Sequence, residues 1–447
     1  MLRRSLALRL ALRDLALTAG PFVLLALLLL ASAYWVLDPS PPRRVVLATG
    51  VPQGAYNEFG LRYAALLKKH GITVVLRETQ GAADNLALLR DPGSGVDLGF
   101  VQGGADLAPA LAAGSDSPPE AQLESLGSLF YEPVWLFYRQ AAARRLVQAD
   151  RLTSLQQLAG GTLNIGAAGS GTPPLVERLL AANNIQPGTI GLQQQPTTPA
   201  VMDLLEGRID ALALASAPEA LMVQMLLLTP GIALFDFAQA EAYSRRFGFI
   251  SPVVLPRGVV DLARDMPATD VRLVAPTAML LARDTLHPAL VQLLVQTAQQ
   301  VHGGAGWFQR RGDFPTAANT ERPLAPEAAR IYRNGVPWLQ RYLPFWLANL
   351  ADRMWVVLLA IIAVLIPLAR VVPPFYEFRI RSRVFRWYAR LRGVEAAKGQ
   401  RPLDTLLAEL DEIEAHVGQV QMPLSYTDEL YALRSHIQMV RRRLQGG

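Results

Sequence analysis

The stretch GAAGSGTPP, Gly166–Pro174, has the makings of a site. Its small residues let a backbone approach a ligand closely, and Ser170 and Thr172 bring hydroxyls. A phosphate cradle would need a closing Lys-Ser/Thr pair, which is absent. A nucleophile elbow needs G-x-S-x-G, but Ala168 and Thr172 stand at the outer glycine positions. What remains is a strand, a glycine turn and a helix start running through Gly169, Ser170, Gly171 and Thr172. Such a turn offers N–H groups and hydroxyls to an anion, with the helix dipole behind them.

The pattern repeats along the chain. Thr49-Gly50 and Gly54-Ala55-Tyr56 follow a first strand. Thr79-Gln80-Gly81-Ala82 follow a second and lead to Asn85, and Gln102-Gly103-Gly104 follow a third. One such turn alone reads as an ordinary cap or packing glycine. Four at corresponding strand ends describe a polar crevice. Other chemistry is missing. The absence of cysteine excludes disulfides, thiolate metal sites and a cysteine nucleophile. There is no HExxH, the five histidines are scattered, and no carboxylate pair has useful spacing. The chain reads as a binding protein and not an enzyme, with no cofactor or metal implied.

The elements that hold these turns alternate. RRVVLATG, ITVVLRET and VDLGFVQ read as strands, separated by the helical patterns GAYNEFGLRYAALLKKHG and GAADNLALLRD. A second block begins near Leu152 with a strand, the Gly166–Pro174 turn and a helix. TPAVMDLLEGRIDALALAS adds a helix and a strand. VRLVAPTAMLLAR and HPALVQLLVQTAQQVH then return to strand and helix. Short apolar runs between helical patterns predict βαβ units and parallel sheets. Two blocks and a returning segment predict two lobes joined by crossing strands, over residues 43–302. Ligands of open α/β sheets bind in the crevice at the carboxyl ends of the strands. Residues 303–350, rich in Gly, Pro, Arg and aromatics, read as a linker and membrane-proximal segment.

Two long apolar runs flank this region, the first without charge and the second broken only by Arg370 near its end. Residues 18–37 and 354–372 are each about the ~20 residues that cross a bilayer. Arg3, Arg4, Arg9 and Arg13 precede the first, and arginines from Arg370 to Arg392 sit at or just after the end of the second. Positive charge stays cytoplasmic, so the N-terminus 1–17 and the tail 373–447 are expected inside and the central region outside a bacterial inner membrane. Ala31-Ser32-Ala33 has the form of a signal-peptidase site, so the first span is either an anchor or a cleaved signal. The region between the spans is near charge balance, with 26 basic and 27 acidic residues over 38–353, so nucleic acid is not implied.

Several segments, in order, resemble the TAXI family of solute-binding proteins of TRAP transporters. They are ATGVPQGAYNEFG, ETQGAADNLALL, VDLGFVQ, FYEPVWLFYR, IGAAGSGT, LLEGRIDALALASAPEA and FISPVVLPRGVV. The resemblance implies a two-lobed periplasmic-binding-protein-like fold of the second topological type, closing over a small carboxylate or amino acid. It also implies a TRAP-type membrane permease as partner. It carries over Gly54, Tyr56, Thr79, Gly81, Asn85, Gln102, Gly169 to Thr172, Ser216 and Pro218 as ligand-binding positions, and Thr49 joins them from its strand end. The chain departs from the family at Val51 and Pro52, where a glycine-rich turn is usual. It departs also at Asn57, Ala82 and Ala83, and in having a second span where most relatives are soluble or lipid-anchored.

The tail places Leu403, Leu406, Leu410, Ile413 and Val417 at spacings of 3, 4, 3 and 4. Leu430, Leu433, Ile437, Val440 and Leu444 do so with Thr427 as a helix cap. These predict two amphipathic helices, either packed on each other as a hairpin or docking a signalling partner. Arg379–Arg392, interleaved with Phe385, Trp387 and Tyr388, suits an anionic lipid surface. The expected function is therefore a membrane-tethered solute-binding protein serving a transporter. The alternative is a sensor that relays lobe closure to the tail.

Overall fold

The computed structural model describes residues 16, 20–35, 41–52, 54–105, 122–343, 345–419 and 427–446. One compact unit comprises Ser40–Ala348, and a second contains Asn349–Gly447.

The larger unit has two sheets. Its first lobe is built from β1 (Arg44–Ala48), α1 (Ala55–Lys68), β2 (Thr73–Arg77), α2 (Ala82–Arg90), β3 (Leu98–Gln102) and β4 (Leu123–Tyr131). The chain then enters the second lobe through β5 (Val134–Arg139), α3 (Gln140–Val147), β6 (Thr162–Asn164), α4 (Thr172–Ala182) and β7 (Gly191–Gln193). It continues with α5 (Thr197–Glu206), β8 (Ala211–Ala215), α6 (Leu221–Leu227), β9 (Ile232–Leu234), α7 (Ala240–Arg246) and β10 (Ile250–Leu255). Finally β11 (Val271–Arg283), α8 (Pro288–His302) and α9 (Pro326–Asn334) return to the first lobe.

The first sheet runs β10-β11-β3-β1-β2, with β4 also paired to β11, and the second runs β7-β6-β8-β5-β9. In the first, β1 lies parallel to both β2 and β3. In the second, β6 lies parallel to β7 and β8. Helices cover such parallel strands on both faces, so their sequences are continuously apolar. All five residues of β3, LGFVQ, are buried for this reason.

Two connections join the lobes. The first is Glu132-Pro133, between β4 and β5. The second lies inside β11, a strand of 13 residues. Its Val271, Leu273, Val274 and Ala275 belong to the core of the second lobe, and its Ala278, Leu280 and Ala282 to the core of the first. The strand therefore changes lobe at Pro276-Thr277. The two crossings touch, since the Glu132 N–H donates to the Pro276 carbonyl at 2.9 Å.

Residues 303–350, expected as a linker, are largely part of this unit. Trp307 and Phe308 pack on the second core, while Ala325, Ala328 and Ile331 are buried in the first. The Tyr332 hydroxyl donates to the Leu126 carbonyl at 2.8 Å. Glycine and proline punctuated the segment enough to hide the three apolar residues that anchor α9.

In the second unit α10 (Phe345–Ala396), α11 (Leu403–Gln419) and α12 (Thr427–Gln445) follow one another. Leu406, Leu410, Ile413 and Val417 close on Leu433, Ile437, Val440 and Leu444, with Val384, Leu391 and Val394 from α10 completing the core. The tail is thus a self-packed helical hairpin against a third helix, with Leu403 left exposed. Residues 20–35 are also helical. Among the described residues no helix is long and apolar enough to cross a membrane. Residues 1–15 and 17 of the expected cytoplasmic N-terminus lie outside the described residues. So do residues 18, 19, 36 and 37 of the first expected span and the side chains of Leu368, Ala369 and Val372 in the second.

Candidate functional site

A cavity of about 160 Å³ lies between the lobes at the carboxyl ends of the strands. The first lobe contributes Gly50–Pro52, Gly54–Tyr56, Gln80–Ala82 and Gln102. The second contributes Gly166, Ala167, Ser170–Thr172, Pro196–Thr198, Leu214–Ser216 and Ala220–Val223. The chain places α1, α2, α4 and α5 with their first residues on this wall. Each helix start carries roughly half a positive charge and N–H groups without intrahelical acceptors. Lys, Arg and His are absent from the lining. The positive potential of the cleft is therefore made by backbone, with one carboxyl, Glu132, at its floor.

Of the residues expected to bind ligand, Gly54, Tyr56, Gly81, Gln102, Ser170, Gly171, Thr172 and Ser216 line the cavity. Thr49, Thr79, Asn85 and Gly169 do not. Asn85 is fully buried, and its Nδ2 donates to the carbonyls of Thr49 and Phe100 at 2.6 and 2.8 Å. Thr79 Oγ1 lies 2.9 Å from the Thr49 carbonyl and accepts from the Gly81 N–H at 3.1 Å. Thr49 Oγ1 donates to the Arg77 carbonyl at 3.3 Å. These groups satisfy backbone atoms where β1, β2 and β3 end, because a buried carbonyl must find a donor. Pro218 lies behind the cleft, beside Phe59 and His302.

The glycine turn holds itself. The Ser170 hydroxyl donates to the Ala167 carbonyl at 2.7 Å, and Thr172 Oγ1 accepts from the Ala215 N–H at 3.3 Å. Gly171 is the N-cap of α4 and has no side-chain cap bond, in place of the hydroxyl cap that the sequence suggests. The turn thus offers backbone N–H groups first and hydroxyls second. Its glycines serve the meeting of lobes. A Cβ on Gly171 would run into Gln102 Oε1, and one on Gly169 into Asp84. Gly81 has φ 140°, open to glycine alone, and packs against Ser170. The Asp84 N–H donates across the rim to the Gly169 carbonyl at 3.1 Å. On the other side Arg178 Nη1 donates to the Gly104 carbonyl at 3.1 Å. The lobes are in contact around the cavity.

Glu132 was not among the expected residues. In FYEPVWLFYR it reads as a break between two strands. A lone acid within an apolar run, followed by proline, was the signal available. It is buried, and its Oε2 accepts from the Tyr56 hydroxyl at 2.9 Å. Burial pushes its carboxyl up to about 8, with the Tyr56 hydrogen bond opposing. Tyr56 is fixed in turn by stacking on Phe100 at 5.3 Å, and burial raises its hydroxyl well above the ordinary range. Gln102 is also buried, and its Nε2 has no hydrogen-bond partner among the described residues.

A family model described as the NMT1-like family matches residues 47–334. The chain belongs to the NMT1-like family. The match takes in both lobes and α9, beyond the 43–302 of the sequence-based resemblance. No curated protein matches the sequence significantly. Solved structures similar to this NMT1-like chain include the alkanesulfonate-binding protein SsuA from Xanthomonas axonopodis pv. citri bound to MOPS. It is 17% identical at a TM-score of 0.36, covering 58% of this chain and 73% of that one. The periplasmic aliphatic sulphonate binding protein SsuA from Escherichia coli is 17% identical at a TM-score of 0.36, covering 76% and 93%. The CcmR regulatory domain of Synechocystis PCC6803 in complex with 2-PG is 12% identical at a TM-score of 0.37, covering 58% and 98%.

Proposed function

We propose that this NMT1-like protein is a membrane-tethered, extracytoplasmic solute-binding protein. It captures a small carboxylate or amino acid between its lobes and hands it to a TRAP-type permease. The observation that carries the reading is the cleft itself. The starts of α1, α2, α4 and α5 and the residue Gln102, whose buried Nε2 has no hydrogen-bond partner among the described residues, line a cavity sized for a small solute, and the lining holds donors with no fixed cation. Such a site favours an acidic group and gives no support to covalent catalysis.

Calorimetric titration of the full chain with small carboxylates, sulfonates and amino acids tests this. One site per chain is expected. Gln102→Ala should weaken binding by about tenfold or more, since a hydrogen bond to a charged group contributes roughly 1.5–3 kcal/mol. Equal affinity of the variant would remove Gln102 from the site, and no binding by any acid would end the reading.

Membrane tethering is supported by apolar side chains left facing outward. Trp355, Val356, Leu358, Leu359, Ile362, Val364 and Ile366 are all exposed on α10, as are Val23, Leu24, Leu27 and Leu28 within 20–35. A run of exposed large apolar residues demands a cover, and on this reading lipid supplies it. Reporter fusions at residue 200 should be active only outside the cytoplasm and fusions at residue 420 only inside. A cytoplasmic signal at residue 200 would overturn the orientation.

A further inference from the structure

Glu132 lies on the first crossing between the lobes and lines the cavity. Its backbone N–H is tied to the Pro276 carbonyl at the second crossing, and its carboxyl is the one acidic group among the lining residues. Oε2 is taken by the Tyr56 hydroxyl, and no protein group bonds Oε1 among the described residues. Charge on this carboxyl would be uncompensated. Tyr56, from α1, is the one other titratable group of the lining, and β11, β8 and α6 bring none to it. An isolated buried carboxylate is costly, and the usual outcome is that the group keeps its proton.

The proton's position then follows from the hydrogen bonding. Oε2 already accepts from Tyr56, so the acid proton is left to Oε1, the oxygen without a protein partner among the described residues, on a residue that lines the cavity. A protonated carboxyl of this kind is a donor. We propose that Glu132, held in its acid form by burial beside Tyr56, donates its Oε1 proton in a hydrogen bond to the acidic group of the solute. On this proposal Glu132 selects small acids without an amino group. This rests on the solute-binding reading above and narrows it. An amine-bearing ligand would bring an ammonium to a lining whose one carboxyl is Glu132, which could pair with it only after giving up its proton.

The two ligand classes have opposite pH signatures. A hydrogen bond from the acid form requires the proton to stay, so affinity should be flat at low pH and fall as Glu132 ionises. Pairing with an ammonium requires the proton to leave, so affinity would rise over the same range. The side chain's ordinary carboxyl value is displaced upward to about 8, which sets the window.

The test is calorimetric titration of the full chain from pH 6 to pH 10. The probes are acetate, lactate, succinate, glutarate, 2-oxoglutarate and ethanesulfonate, with alanine, aspartate and glutamate as the amine-bearing counterparts. The acids should bind in preference to their amino counterparts. Their affinity should fall about tenfold per pH unit above the Glu132 midpoint. Glu132→Gln, whose amide still donates, should bind a few-fold more weakly at pH 6 and lose the pH dependence. Glu132→Leu should lose at least tenfold at pH 6. Should Leu not fold, the wild-type profile with Glu132→Gln decides alone. Preference for the amino acids, with affinity rising through pH 8, would overturn the proposal and leave the solute-binding reading standing. An acid that binds with no change from pH 6 to 10 would do the same. No binding of either class would overturn both.

Discussion

The Glu132 and His302 side chains are two buried titratable groups driven to their uncharged forms, and only one of them faces the cleft. His302 lies among Phe59, Tyr63 and Phe130, at ring separations of 4.6, 5.8 and 5.2 Å. Its Nε2 has no hydrogen-bond partner among the described residues. Burial, with a smaller effect from Arg62, lowers its imidazole to about 3. The folded protein therefore binds this proton less readily than the unfolded chain. Stability from the group is complete above its ordinary value near 6.5 and is lost as pH falls toward 3. The loss approaches about 1.4 kcal/mol per pH unit in that window. His302→Phe keeps an aromatic ring in the cluster and removes the proton. Chemical denaturation at pH 7 and pH 4.5 should show a smaller acid loss for the variant than for wild type. An equal loss would place the acid sensitivity elsewhere.

Among the elements, the glycine turn before α4 sets how closely the lobes approach. Gly171 has φ −77° and ψ −10°, which alanine adopts freely, so its substitution tests contact alone. The added methyl meets Gln102 Oε1 from the opposite lobe. Gly171→Ala should leave thermal stability nearly unchanged and lower solute affinity roughly tenfold, about 1.4 kcal/mol, by wedging the lobes apart. Unchanged affinity would mean that Gln102 yields. Much of this architecture was legible in the sequence. VDLGFVQ and VRLVAPTAMLLAR are apolar runs because their strands are covered on both faces, and the helix over HPALVQLLVQTAQQVH lies where its periodicity put it. β6, β7 and β9, of three residues each, are too short to carry a period. The roles of Thr49, Thr79 and Asn85 were not legible either. A polar residue after a strand looks the same whether it serves a ligand or a buried carbonyl, and only the packing of three strand ends distinguishes them.

Across the whole molecule, the two crossings at Glu132-Pro133 and Pro276-Thr277 form the natural hinge, and the rim contacts Asp84–Gly169 and Arg178–Gly104 join the lobes in this closed arrangement. Few bonds hold that rim, each contributing about 1 kcal/mol net, so closure should depend on what fills the cavity. The chain has no cysteine, which allows spin labels at chosen positions only. Glu78 and Gln194 are exposed, one in each lobe. Electron–electron resonance distances between labels at Glu78→Cys and Gln194→Cys, in the full chain with and without each small acid, read closure directly. A solute present at about 100 times its Kd should stabilise the closed form by up to about 2.7 kcal/mol. The account predicts a broad or long distribution alone and a single short distance with a bound acid. A distribution that no acid of the panel alters would contradict it.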